Sequence, residues 1–177
     1  VDTAALLSIA RENRSILRME HGVGAFVVRN TALVSLALTF PPEQKSVIAI
    51  NSAYSIGRHR SVEQDPAFGI RQVVDIAIKA LSPGINDTST AIMCIDYLTS
   101  IIARLAGKQF PSAQLYEEET LRIEAIVISF EGLLAQAFDQ IRRSAGANVA
   151  IFSRLITGLD TIGSLAIRRS HIRALDE

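Results

Sequence analysis

Residues 64–91, "QDPAFGIRQVVDIAIKALSPGINDTSTA", decide the fold because they contain the start of two helices and the end of one. Asp65 is a favourable N-cap residue, and Pro66 suits the first helical position because its missing N–H has no partner there. Pro83 drives the preceding residue out of the helical region of backbone space, and Gly84 permits a turn. The stretch therefore predicts a helix, a tight corner and a second helix.

The first of these helices has apolar residues on almost every side, which predicts that it is buried nearly all round. Asn86 or Asp87 is expected to cap the second helix, which spans about 88–106 and is closed by Gly107. Asp96 lies inside this apolar second helix, so we do not interpret it as a membrane span.

The residues before this stretch are richer in β-forming side chains. Asp2 is expected to cap a short helix, and residues 43–53 are ambiguous between helix and strand. Short apolar runs separated by glycine-containing turns predict three strands that form a small meander. These strands are placed near residues 15–21, 25–28 and 33–39.

The residues after it return to helices. Alternating apolar and polar side chains predict a hairpin with strands near 112–117 and 120–127. Ser129 is expected to cap a helix that Gly146 breaks, and a last helix starts at about residue 148. Gly158 and Gly163 inside this last helix suggest close packing against another helix, since each glycine weakens a helix by about 1 kcal/mol relative to alanine.

Together these elements predict an α+β fold that is mostly helical. The expected parts are a small β-rich N-terminal meander with its helix, residues 1–42, and a helical bundle, residues 43–177. The bundle is expected to carry the inserted β-hairpin near 112–127.

Composition narrows the class of protein. Of the 177 residues, 49% are hydrophobic, and 18 Lys plus Arg balance 18 Asp plus Glu. This balance gives no bulk positive charge for binding nucleic acid, so no nucleic-acid partner is expected. Much apolar surface with little net charge favours association, so a homo-oligomer is expected.

Motifs of catalysis and metal binding are missing from the sequence. The single Cys94 excludes an internal disulfide, and its apolar surroundings predict a buried thiol. The three histidines have no metal-ligand spacing, and no nucleophile elbow or phosphate-binding glycine loop occurs. We therefore predict no metal, cofactor or catalytic residue, and the sequence favours a non-enzymatic protein over an enzyme.

A cluster of charged residues is the main candidate site. Arg58 and Arg60 precede the first helix of the opening stretch, and Arg71, Asp75 and Lys79 share one face of it because they are spaced four residues apart. Inward-facing guanidinium groups suit a phosphate or carboxylate. The alternative is structural: an ion-pair network, a buried ion pair or a subunit contact.

The start of the second helix is the other candidate, because free N–H groups at a helix N-terminus attract anions. Asp87 and Thr88 lie at this start. The alternative is that both residues serve only to begin the helix.

The stretch "IGRHRSVEQDPAFGIRQVVDIAIKALSPGIND", followed closely by "TAIMCIDYL", resembles the signature of a bacterial family of predicted multi-pass membrane proteins, domain of unknown function 2254. The resemblance implies that transmembrane helices precede a soluble domain, and that this chain is that soluble part, membrane-associated through an N-terminal region it lacks. A cytoplasmic position is expected from the lone cysteine. The family tends to have proline where this chain has Thr88, and it brings no activity or catalytic residues.

Two functions therefore remain open. The first is a non-enzymatic soluble domain that oligomerises and organises or regulates its own transmembrane segment. The alternative is a sensor that binds a small anion or metabolite at Arg58, Arg60 and Arg71.

Overall fold

The order of helices and strands confirms an α+β, mostly helical fold. The computed structural model describes residues 1–38, 41–166, 171 and 174–175. Within them the elements are α1 (Thr3–Glu12), β1 (Leu17–Met19), β2 (Val34–Leu36), α2 (Gln44–Ala53), α3 (Pro66–Ala80), α4 (Thr88–Ala106), β3 (Gln114–Glu117), β4 (Thr120–Glu124), α5 (Phe130–Ser144) and α6 (Val149–Leu165).

The chain divides into two units. Unit 1 comprises Val1–Arg60 and Pro111–Val127, and unit 2 comprises Ser61–Phe110 and Ile128–Glu177. This division differs from the predicted boundary at residue 42. The reason is that α2 packs against α1 and the β3–β4 hairpin joins the N-terminal strands, so both belong to unit 1.

Among the described residues of unit 1, four strands form a sheet in the order β2-β1-β4-β3. Strand β1 is antiparallel to β2, with Leu17 opposite Leu36, and parallel to β4, with Leu17 opposite Ile123. The predicted hairpin is present as β3 and β4, with positive φ at Glu118 and Glu119 in its turn. The hairpin extends the N-terminal sheet instead of being inserted in the helical bundle.

The predicted three-stranded meander is wrong in one strand. Residues 25–28 form no strand, because the chain turns on both sides of them: Gly24 and Asn30 have φ values of 76° and 68°. The other two predicted strands correspond to β1 and β2, although the predicted end at residue 39 lies outside the described residues. The ambiguous segment 43–53 is helical, as α2.

The core of unit 1 lies between the sheet and the helices α1 and α2. Asp2 caps α1 as predicted, since its Oδ1 accepts a hydrogen bond from the N–H of Ala5 at 3.0 Å. The buried core side chains are Leu6, Ile9, Ala10, Leu17, Met19, Ile50, Ala53 and Ile123.

In unit 2 the predicted helix boundaries are confirmed. Asp65 caps α3, and Pro66 occupies the beginning of that helix. Asp87 caps α4, and Ser129 caps α5 through a hydrogen bond to the N–H of Gly132. Gly146, with φ of 56°, turns the chain between α5 and α6.

In the part of unit 2 that the structure describes, α3, α4, α5 and α6 surround the core: α3 packs against α4 and α5, and α4 packs against α6. The prediction that α3 is buried nearly all round is wrong. Its buried face carries Ala67, Ile70, Val74, Ala77 and Ala80. The opposite face is open to solvent, and Ile76 there is 53% exposed despite its apolar side chain.

Helix α4 is long and apolar enough to cross a membrane by length and composition alone. In this fold one of its faces forms a central part of the unit 2 core. The buried residues of that face are Ala91, Cys94, Ile95, Leu98, Ile102 and Ala106. Cys94 is 6% exposed, as predicted, and burial raises the pKa of its thiol.

Candidate functional site

The charged stripe on α3 lies at the surface of unit 2. Nη2 of Arg71 lies 2.8 Å from Oδ1 of Asp75, and Nη1 of Arg71 donates a hydrogen bond to Oε1 of Gln140 on α5. The Arg71 and Asp75 side chains are 43% and 55% exposed, so this ion pair is not buried. The guanidinium of Arg71 therefore already has a carboxylate and an amide as partners.

Lys79 continues this stripe at the last turn of α3. Its side chain is exposed, and none of the residues that the structure describes forms an ion pair with it. The carbonyl of Lys79 accepts a hydrogen bond from the hydroxyl of Ser82 at 2.7 Å, which helps to end the helix.

The two upstream arginines belong to the other unit. Arg58 and Arg60 are exposed residues of the segment that follows α2 in unit 1, whereas Arg71 lies in unit 2. A shared anion site formed by all three arginines therefore stays a prediction.

The start of α4 is closed by its own side chains. Oδ1 of Asp87 accepts a hydrogen bond from the N–H of Thr90 at 3.0 Å, and Oδ2 accepts one from the Thr90 hydroxyl. These hydrogen bonds lower the pKa of Asp87, because they stabilise its ionised form. The carboxylate thus occupies a position that an external anion would take at this helix start.

Thr88 joins the starts of two helices. Its hydroxyl oxygen accepts a hydrogen bond from Nδ2 of Asn148 at 2.9 Å, and Asn148 caps α6 through the N–H groups of Ala150 and Ile151. The role found for Thr88 is therefore to fix α4 beside α6.

Further contacts follow in the same order along both helices. Asp96 of α4 forms an ion pair with Arg154 of α6, and Thr99 lies against Gly158. Because the contact positions rise together along both sequences, α4 and α6 run parallel. A Cβ atom on Gly158 would lie 2.5 Å from Oγ1 of Thr99, which confirms the close packing predicted for this glycine. The close packing predicted for Gly163 is not found among the described residues, because a Cβ there would meet Leu175 at an ordinary 3.5 Å.

An apolar surface on α4 was not identified from the sequence. Met93, Tyr97 and Ile101 are 54%, 63% and 37% exposed, and their four-residue spacing places them on one face. We call these three residues the α4 stripe. The spacing is visible in the sequence, but α4 is apolar at so many positions that only burial separates the core face from the exposed one.

A second apolar surface lies on α6 and comprises Val149, Phe152 and Ile156, which are 76%, 37% and 64% exposed. We call these residues the α6 stripe. Two helical residues separated by two positions point about 200° apart, because each residue turns the helix by about 100°. Tyr97 therefore points away from the α6-facing Thr99, and Ile156 points away from Gly158.

The two stripes consequently lie on opposite sides of the α4–α6 pair.

Within the described part of the chain, no group of three His, Cys, Asp or Glu side chains is arranged to hold a metal ion.

Comparison with known proteins places this chain in a family. The model of a family described as predicted membrane protein, DUF2254, matches residues 1–161. An uncharacterized protein of Mycobacterium tuberculosis strain H37Rv and one of Mycobacterium bovis are each 46% identical over 56 residues. This match covers 32% of the chain and only 11% of each relative. No solved structure matches the chain significantly.

The family match covers most of the chain and agrees with the resemblance found at residues 56–98. This chain therefore belongs to the DUF2254 family of predicted membrane proteins.

Proposed function

We propose that this chain is a self-associating module through which a membrane protein of this family is assembled or regulated. The observation that carries the proposal is the α4 stripe, whose central residue Tyr97 leaves 63% of its surface open to water. Aromatic residues and methionine are enriched in protein interfaces, whereas most charged residues are depleted from their centres.

The geometry of the stripe suits a contact between two identical copies. Met93 and Ile101 lie at equal distances along α4 on either side of Tyr97. In an antiparallel pair related by a two-fold axis, Met93 would face Ile101 of the partner subunit and the two Tyr97 rings would meet at the centre. Because the chain carries no net charge, long-range repulsion between copies is small.

Association would remove these side chains from water, and burial of apolar area is the main driving force of such contacts. Substitution of a central aromatic anchor commonly costs about 2 kcal/mol or more, which corresponds to roughly 30-fold in the dissociation constant. A charged side chain at position 97 is expected to be at least as harmful, because two like charges would be brought together on the axis.

Size-exclusion chromatography with light scattering over a range of concentrations tests the proposal. The wild-type chain is expected to associate, and Tyr97→Glu is expected to shift the equilibrium to the monomer. Ile156→Glu on the α6 stripe is the matched control, since it places the same charge at an equally exposed apolar site. Far-UV circular dichroism verifies that both variants are folded.

Two results would contradict the proposal. One is a wild-type chain that stays monomeric at the highest concentration reached. The other is an Ile156→Glu variant that dissociates as strongly as Tyr97→Glu, because then the α4 stripe would not be the specific contact.

We also propose that the module lies on the cytoplasmic side of the membrane. The support is Cys94, a free thiol of the kind that reducing compartments maintain. Protease accessibility of the longer membrane-bound protein in right-side-out and inverted vesicles distinguishes the two sides.

A further inference from the structure

Unit 1 contains a cleft of about 780 Å³ that neither the sequence patterns nor the proposed association uses. It lies between the segment that leads into β2, strand β2 itself and helix α2. Its lining includes Val28, Arg29, Ala32, Val34, Ile50 and Ile56.

The side chains of the lining are mostly aliphatic, and several remain in contact with water. Val28 and Ile56 are 57% and 68% exposed, while Ile50 at the α2 side is 8% exposed. An open apolar lining of this kind gains free energy when an apolar group covers it. The volume lies within the range of about 300–1,000 Å³ that is usual for small-molecule sites.

Charge in the lining has one sign. Arg29 is the charged residue among the lining residues, and no Asp or Glu accompanies it there. Among the described residues none forms an ion pair with Arg29, so its guanidinium is available to an anionic group.

The backbone at Arg29 is held in a turn at the rim of the cleft. The carbonyl of Val28 accepts hydrogen bonds from the N–H of Thr31 at 3.2 Å and from its hydroxyl at 2.6 Å. Asn30 completes the turn with φ of 68°, a conformation that asparagine tolerates better than most residues. The backbone that carries the Arg29 side chain is therefore ordered beside the apolar cleft.

We infer that this cleft binds a fatty acid with an acyl chain of the length of laurate, with the acyl chain against the aliphatic lining and the carboxylate at Arg29. An apolar lining alone would accept any hydrophobic ligand, whereas the single cation favours a hydrophobic ligand that has one anionic end. The inference concerns unit 1 and does not depend on the α4 stripe of unit 2.

Isothermal titration calorimetry of the whole 177-residue chain tests the inference with laurate below its micelle concentration. Laurate is expected to bind and butyrate is not, because butyrate keeps the carboxylate but has too short a chain. Dodecyl maltoside below its micelle concentration provides a chain of the same length with an uncharged head.

Two pairs of variants locate the site. Ala32→Phe is expected to fill the cleft and abolish laurate binding, and Ala25→Phe, which adds the same ring at an exposed loop position outside the lining, is expected to leave it unchanged. Arg29→Glu is expected to weaken laurate binding at least tenfold. It should leave any affinity for dodecyl maltoside unchanged, because the head group of that ligand is uncharged. Arg18→Glu on β1 is its control.

The inference is overturned if laurate does not bind, or if Ala32→Phe binds laurate as the wild-type chain does. It is also overturned if Arg29→Glu and Arg18→Glu weaken laurate binding equally, because a general charge effect would then replace the rim contact. Sedimentation with phosphatidylglycerol vesicles, in the absence of laurate binding, would assign this surface to a membrane instead.

Discussion

Replacing Gly158 by alanine should test the parallel packing of α4 and α6 directly. The new Cβ would lie 2.5 Å from Oγ1 of Thr99, so the two helices or the Thr99 side chain must move by at least 0.5 Å to reach the 3.0 Å that real Cβ contacts require. Threonine in a helix has few alternative rotamers, which limits this adjustment.

Two opposing terms set the magnitude. Overpacking in a core lowers the free energy of unfolding by about 1–3 kcal/mol, whereas replacing glycine by alanine inside a helix raises it by about 1 kcal/mol. The net expectation is a loss of about 1 kcal/mol in the free energy of unfolding, which for a chain of this size lowers Tm by about 2–4 °C. Urea denaturation followed by circular dichroism at 222 nm measures the loss.

The decisive comparison is the same substitution in a Thr99→Ala background. Without Oγ1 the clash disappears, so Gly158→Ala should then stabilise the protein by up to about 1 kcal/mol. Gly163→Ala is the control, because its Cβ would meet Leu175 at an ordinary 3.5 Å and should not destabilise the protein. If Gly158→Ala destabilises both backgrounds equally, the assigned contact between α4 and α6 is incorrect.

Two further predictions concern the residues singled out in the sequence. Asp87→Ala should lower Tm at pH 7, and the deficit relative to wild type should shrink as pH falls through the lowered pKa of folded Asp87, because protonation removes the charged cap from wild type as well. Asp87→Asn keeps an uncharged cap, so its deficit at pH 7 should be smaller, but the difference from wild type should change with pH in the same direction because it comes from titration of wild-type Asp87; a deficit that grows on acidification would refute the assignment. The sensor alternative predicts that inorganic phosphate raises Tm of wild type but not of Arg71→Ala, with Arg18→Ala as control; equal or absent shifts would argue against it.

Local stereochemistry made much of the helical framework predictable. The caps at Asp65, Asp87 and Ser129 and the turn at Gly146 satisfy or redirect the backbone within a few residues. Such interactions depend on sequence neighbours, so they can be recognised without knowledge of the rest of the fold. The glycine at position 158 was informative for a related reason, since it is unfavourable in a helix unless something else lies close.

Features that depend on distant neighbours were missed or misjudged. Residues 25–28 have β-forming side chains but no strand partner, whereas β4 finds one in β1 about a hundred residues earlier in the sequence. The exposed side of α3 was predicted to be buried because Ile76 is apolar, yet Ile76 is left 53% exposed by the described residues. The α4 stripe and the cleft at Arg29 were also not predicted from the sequence, since both depend on which side chains the rest of the fold leaves exposed.

The sequence by itself determined the family, the starts of the helices in unit 2 and the α+β class, because these follow from motifs and from hydrogen bonds between near neighbours. Only the tertiary structure decided that the hairpin completes the N-terminal sheet, that Arg71 is engaged by Asp75 and Gln140, and which apolar faces stay uncovered. The physical reason is that burial and strand pairing depend on the segment that packs against a given helix or strand. The pattern of that helix or strand alone does not identify its partner.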